Sequence, residues 1–176
     1  MKTTIMQRLG KGLDNAAAYS LYLLIKPLKQ RYRSCMLSTA GLVIKAGGST
    51  LAKTGASICH YVAKGKHGQI AAATDMPALV GTVATDTCNV FVFTVDSAGT
   101  KYVQMGTAAA TEANVIWPTL DPDRAIIGFI KCNPVGTGSF VGGTTALDDA
   151  TVFTSAAAEL LYVSPVGMFD PTAAID

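Results

Sequence analysis

Two hydrophobic rhythms divide the chain. Near the N-terminus, Ala18, Leu21, Tyr22, Ile25, Leu28 and Tyr32 recur at spacings of three and four, the period of one face of an α-helix. Gly10 and Gly12 precede Asp14, whose short carboxylate suits an N-cap. The pattern predicts a helix from about Asn15 to Lys26. It is kinked or restarted at Pro27, because an interior proline costs about 3 kcal/mol.

From Cys35 the apolar residues fall into short Val/Thr/Ile/Phe-rich runs separated by Gly, Pro and Asp. Eight of these read as strands: 37–45, 57–63, 79–85, 89–96, 101–105, 125–133, 150–153 and 160–164. The plainest hairpin joins Val90–Val95 to Lys101–Met105 through Asp96-Ser97-Ala98-Gly99-Thr100, with Gly99 at the left-handed position of the loop. In this strand Phe91, Phe93 and Val95 share one face, and Val90, Val92 and Thr94 the other. Both faces are apolar, so the strand is expected to be covered on both sides. Strict alternation over 125–133 sets Ile127 and Phe129 against Ile126 and Ile130. Asp121-Pro122-Asp123 is a turn, and Pro134–Thr145, with Gly136, Gly138, Gly142 and Gly143, is a loop. The fold expected is mainly β: an antiparallel β-sandwich or barrel-like body with an N-terminal helical arm. The divisions are a basic helical arm (1–34), a β-rich body (35–164) and an extended C-terminal tail (165–176).

Composition sharpens this picture. A chain of 176 residues suits one main domain and buries roughly 70% of its unfolded surface without help from disulfides or metals. Only 15% of residues are charged and 49% are hydrophobic, which excludes a disordered chain and differs from an ordinary enzyme surface. The net charge of +2 conceals an asymmetry. Residues 1–34 hold seven basic residues and one acid, or +6, and the remainder holds seven basic and eleven acidic residues, or −4. Such an arm fits an anionic partner, either an acidic protein shell or nucleic acid, or else is a solvated helix face.

Cys35, Cys59, Cys88 and Cys132 are widely spaced with no C-x-x-C, and buried free thiols are the expectation. The longest near-apolar run, Ala16 to Ile25, spans ten residues and contains Ser20. It is too short for a transmembrane helix, and the basic residues that follow it argue against an export signal.

Catalytic patterns are incomplete. Gly47-Gly48-Ser49-Thr50-Leu51-Ala52-Lys53-Thr54 nearly fits a P-loop but has Ala52 where glycine is required, and a strand follows instead of a helix. Lys53-Thr54-Gly55 matches the K-T-G of penicillin-recognising enzymes without a Ser-x-x-Lys partner. Gly136-x-Gly138 has Val141 in place of the third glycine of a dinucleotide fingerprint. His60 and His67 are the only histidines, and Cys59 and His60 would point to opposite faces of a strand. Asp148-Asp149, the only acid pair, reads as a hydrogen-bonded turn and lacks the ligand spacing of a calcium loop. No catalytic residue, cofactor, metal or small-molecule substrate is expected.

Arg124-Ala125-Ile126-Ile127-Gly128-Phe129-Ile130 and Asn133-Pro134-Val135-Gly136-Thr137-Gly138-Ser139-Phe140-Val141-Gly142-Gly143-Thr144-Thr145-Ala146-Leu147-Asp148-Asp149 resemble a family of tailed-bacteriophage virion structural proteins. The resemblance extends over most of 37–150, notably 56–73 and 94–106, and less over the arm. Head decoration (cement) proteins are the most similar. The resemblance implies a non-enzymatic subunit on the capsid surface, assembled in the host cytoplasm. Its partners would be the major capsid protein and itself, as a homotrimer, with no membrane contact. It supplies no catalytic residues. The arm then offers Arg8, Lys11, Leu21, Ile25, Lys26, Leu28, Lys29, Arg31, Tyr32 and Arg33 as the candidate partner-binding set. A tail fibre or spike using 134–145 as a recognition loop is the second reading. A nucleic-acid binder using the basic arm, with Tyr32 interleaved between Arg31 and Arg33, is the third, and an enzyme a distant fourth.

Overall fold

The computed structural model describes residues 20, 21 and 33–168, the side chains of 157 and 158 excepted. Among them the chain is mainly β, with eleven strands in antiparallel sheets. These are β1 (Cys35–Met36), β2 (Val43–Ile44), β3 (Ala52–Lys53), β4 (Cys59–Ala63), β5 (Lys66–Ile70) and β6 (Thr82–Val83). They continue with β7 (Asn89–Val95), β8 (Lys101–Met105), β9 (Ala125–Cys132), β10 (Phe140–Val141) and β11 (Leu160–Val163). One α-helical turn, α1 (Ala156–Glu159), leads into β11. The strands pair as β11-β9-β7-β8, β1-β4-β5, β2-β3 and β10-β6.

β7 is buried at every position. Phe91, Phe93 and Val95 enter the larger of two apolar clusters, and Val90 and Val92 enter the smaller. The larger cluster also takes Met36, Cys59, Tyr61, Ala63 and Ile70 from the three-stranded sheet. The smaller one is covered by Leu120, with Val115, Trp117, Val163 and Met168 against it. The expected β7–β8 hairpin is present, pairing Val95 with Lys101, and Gly99 has φ +89°.

The facing expected for β9 is corrected. Ile126 and Phe129 share the smaller cluster, whereas Ile127 and Ile130 share the larger. Phe93 pairs with Gly128 but Thr94 pairs with Ile126, so Ile127 is the extra residue of a β-bulge. A bulge shifts the two-residue period by one and flips every following side chain.

Several strand assignments change, three of them with a clear local cause. The run 37–45 keeps only Val43–Ile44, because Gly41, at φ +56°, turns the chain before it. Residues 150–153 form turns: the amides of Val152 and Phe153 both donate to the Asp149 carbonyl, and the two side chains are buried without a strand. β5 was not expected, since Lys66-His67-Gly68-Gln69-Ile70 is mostly polar. It forms because Lys64 (φ +53°) and Gly65 (φ +75°) make a two-residue turn between the paired Ala63 and Lys66. Two positive φ values are what a tight hairpin turn of this twist requires.

The predicted helix over 15–26 lies outside the described residues except at Ser20 and Leu21, which are helical. The predicted tail is described as far as Met168, and its Gly167 amide donates to the Met36 carbonyl at 2.8 Å.

Candidate functional site

The C-terminal end of the predicted arm is fastened to the body. The Gly65 amide donates to the Arg33 carbonyl at 2.8 Å, and the Lys64 amide to the Ser34 hydroxyl at 3.1 Å. Arg33 and Lys64 both reach the Asp123 carboxylate, at 3.0 and 3.4 Å. The carboxylate belongs to the predicted Asp121-Pro122-Asp123 turn, where the Asp123 amide donates to Asp121 at 2.9 Å. Exposed pairs of this kind contribute about 0.2–1 kcal/mol each, so they orient the chain more than they stabilise it. Arg33 remains half exposed. Leu21 is half-buried and helical. Arg8, Lys11, Ile25, Lys26, Leu28, Lys29, Arg31 and Tyr32 lie outside the described residues.

The near P-loop is a connection between β2 and β3, closed from within. The Gly48 amide donates to both Asp148 carboxylate oxygens, at 2.9 and 3.0 Å, and the Leu147 amide donates to the Ser49 carbonyl at 2.8 Å. A carboxylate of the chain itself sits on the glycine amide that a phosphate would need. Thr54 of the K-T-G triplet is buried between Ala71 and Thr74, donating to the Ala71 carbonyl at 3.1 Å and accepting the Thr74 amide at 2.9 Å. Asp149 turns back on the Thr151 amide at 2.8 Å. No cluster of three or more metal-ligating side chains occurs among the described residues.

A cleft of about 380 Å³ lies beside the end of β9, lined by Cys88, Glu112, Trp117, Lys131, Cys132 and Glu159 among others. Lys131 and Glu112 form an ion pair across it. All four cysteines are free, and Cys35, Cys59 and Cys132 are buried. Burial, with the nearby Cys88 and Glu159, pushes the Cys132 thiol up to about 12. Burial and then Glu112 raise Cys88 as well. A nucleophilic cysteine needs the opposite shift, toward thiolate at neutral pH. Glu159 is held by four donors: the Thr154 hydroxyl, and the amides of Thr154, Ser155 and Val135. Its pKa is lowered, first by the Thr154 hydroxyl and against the pull of burial.

The Gly-rich segment 134–145 is tied down along its length. The amides of Gly136 and Thr137 donate to the carbonyls of Val152 and Thr151, at 2.9 and 2.7 Å. Thr85 caps the Gly138 carbonyl at 2.7 Å, and β10 pairs with β6. A Cβ on Gly142 would fall 2.7 Å from the Leu79 carbonyl carbon. Gly136 and Gly142 serve close backbone packing, whereas Gly138 faces open space at φ +100°.

What the sequence reading missed lies on the surface. Val80 (70%), Ile116 (65%), Val166 (57%), Ile58 (52%) and Leu37 (50%) expose large apolar side chains. Backbone bonds join the segments that carry some of them. The Leu37 amide reaches the His60 carbonyl, two residues from Ile58, and the Met36 carbonyl takes the Gly167 amide, so Leu37, Ile58 and Val166 stand on neighbouring backbone segments. The Gly142 amide reaches the Gly81 carbonyl, setting Val141 near Val80. As expected, Cys59 points inward and His60 outward on β4. His60 then meets His67 of β5, the rings stacked at 5.4 Å. The Lys64-Gly65 turn was the one signal for that pairing. No helix among the described residues is long and apolar enough to cross a membrane. Neither a family model, nor a curated protein, nor a solved structure matches the chain.

Proposed function

We propose that the chain is a virion structural protein, a decoration subunit that binds the major capsid shell and stabilises the head as a homotrimer. The observation that carries this reading is the set of large apolar side chains left exposed on a hydrogen-bonded β-body of low charge. Exposed side chains such as Val80, Ile116, Leu37, Ile58 and Val166 suit a surface that other protein covers. The resemblance of residues 124–149 supplies the phage head as the setting. The β1-β4-β5 and β11-β9-β7-β8 sheets share one apolar cluster, which supports a β-sandwich as the form of the body. In this reading the work is mechanical. Subunits bind only the assembled shell and stabilise it by mass action, through interfaces of roughly 2,000 Å² or more. The predicted helical arm, with its basic residues, lies along an acidic part of that shell.

A tail-fibre role draws less support, because the loop it would use is bonded to the body at Gly136, Thr137 and Gly138.

The test adds purified chain to heads that lack it. Expected are regular density on the head surface, a higher melting temperature of the heads, and trimer mass for the free protein. Removing residues 1–32, which spares the Arg33 and Ser34 anchors, should weaken head binding and leave the body folded. Density on the tail, or no binding to heads, overturns the reading.

A further inference from the structure

We propose that His60 and His67 form a two-imidazole site for a divalent transition-metal ion of the zinc, copper and nickel class. The chain's only two histidines are brought together by register. His60 pairs with Gln69 and Val62 with His67, so the two rings are diagonal neighbours on the outer face of the β4–β5 hairpin. They stack with centroids 5.4 Å apart and planes 20° from parallel. Imidazole is a preferred donor for these ions, and metal–nitrogen bonds of about 2.0–2.1 Å require two ring nitrogens within roughly 4 Å of each other. The stacked rings are near-parallel, so their in-plane nitrogen lone pairs do not converge as they stand; binding requires at least one exposed ring to turn about its side-chain bonds so that both lone pairs meet at one ion.

Three further observations favour an ion over simple ring packing. Both histidines are exposed, so an ion enters without opening the fold. Neither ring makes a hydrogen bond to another described residue, which leaves ring nitrogens available as donors. Val62 and Gln69 are the other β4 and β5 residues on that face, so no cation of the hairpin shares it. The hairpin itself is anchored at its turn by Ser34 and Arg33, which limits the ordering cost of binding. No third protein ligand stands among the described residues. The remaining coordination positions therefore belong to water or to a donor from another molecule, as in metal sites that stay open.

The experiment is zinc chloride titration into tag-free, full-length protein, followed by calorimetry and by the imidazole NMR resonances. One equivalent of Zn2+ is expected to bind, with both rings shifting in the same titration. His60→Gln and His67→Gln should each weaken binding at least tenfold, and Gln69→Ala should leave it unchanged. Backbone spectra verify that each variant is folded. Movement of one ring alone, or undiminished zinc binding by the His60→Gln, His67→Gln double variant, overturns the proposal.

Discussion

Glu159 accepts the Thr154 hydroxyl at 2.6 Å, and this bond anchors a carboxylate that joins three segments. The amides of Thr154, Ser155 and Val135 complete its shell, so one side chain holds 133–137, 154–155 and α1 together. The folded-state pKa lies below the ordinary 4.5. A depressed carboxylate stabilises the fold fully above its unfolded value and loses that contribution as pH falls through the folded value. Glu159→Gln should therefore be less stable than the parent at pH 7, with the gap closing below about pH 4. Urea midpoints of both proteins at pH 7 and pH 3 check this; a gap independent of pH would refute it.

Asp148 acts similarly on the Gly48 amide. Its carboxylate is exposed, so the bond is in competition with water. Asp148→Ala should cost about 0.5–1.5 kcal/mol, read from urea unfolding. The substitution should not create nucleotide affinity, since Ala52 still replaces the glycine of a phosphate loop. Calorimetry with ATP should give no heat for either protein.

Thr94 presents the reverse case. It is fully buried on β7 and its hydroxyl has no partner among the described residues. A buried unpaired hydroxyl costs about 1–3 kcal/mol, and valine keeps the branched shape that a strand favours. Thr94→Val should raise stability by about 1 kcal/mol. A lower urea midpoint would mean that the hydroxyl is satisfied after all.

These groups mark the limit of what the sequence discloses. The β7–β8 hairpin was legible because alternation, the five-residue loop and Gly99 all point the same way. β5 was not, since its polar face holds no apolar period and only Lys64-Gly65 betrays the turn. Val152 and Phe153 read as strand because burial alone leaves the same apolar signature as a sheet. In β9 the apolar content was legible but the facing was not. A bulge depends on the partner strand, and nothing local marks Ile127 as the extra residue. Asp148 acts at a distance, 100 residues from Gly48, and Glu159 reaches Val135 across 24 residues. The acid pair was legible as a turn, but its partner was not. The apolar surface groups were invisible because exposure is a property of the fold.

The bulge makes its own prediction. By placing Phe129 in the smaller cluster it sets that ring edge-on to Trp117, with centroids 4.8 Å apart. Phe129→Ala should cost about 3–5 kcal/mol. A double-mutant cycle with Trp117→Ala should return a coupling of about 0.5–1.5 kcal/mol. Were Phe129 on the opposite face, as unbroken alternation requires, the two substitutions would add independently.

The thiols give the last prediction. Cys132 is 1% exposed and its pKa is pushed up to about 12, so at pH 7.5 its thiolate is scarce and shielded. Cys35 and Cys59 are buried and raised by the same desolvation. Cys88 is only half-buried, but burial and Glu112 raise it too. Reaction rate follows thiolate fraction and access together. With a chromogenic disulfide at pH 7.5, the folded protein should therefore release about one equivalent slowly, from Cys88, and the other three only in denaturant. Glu112→Gln should speed that first phase, because it removes the negative charge that opposes the thiolate. It should leave the denatured total at four. A fast phase assigned to Cys132 by mass spectrometry would contradict both its burial and its raised pKa.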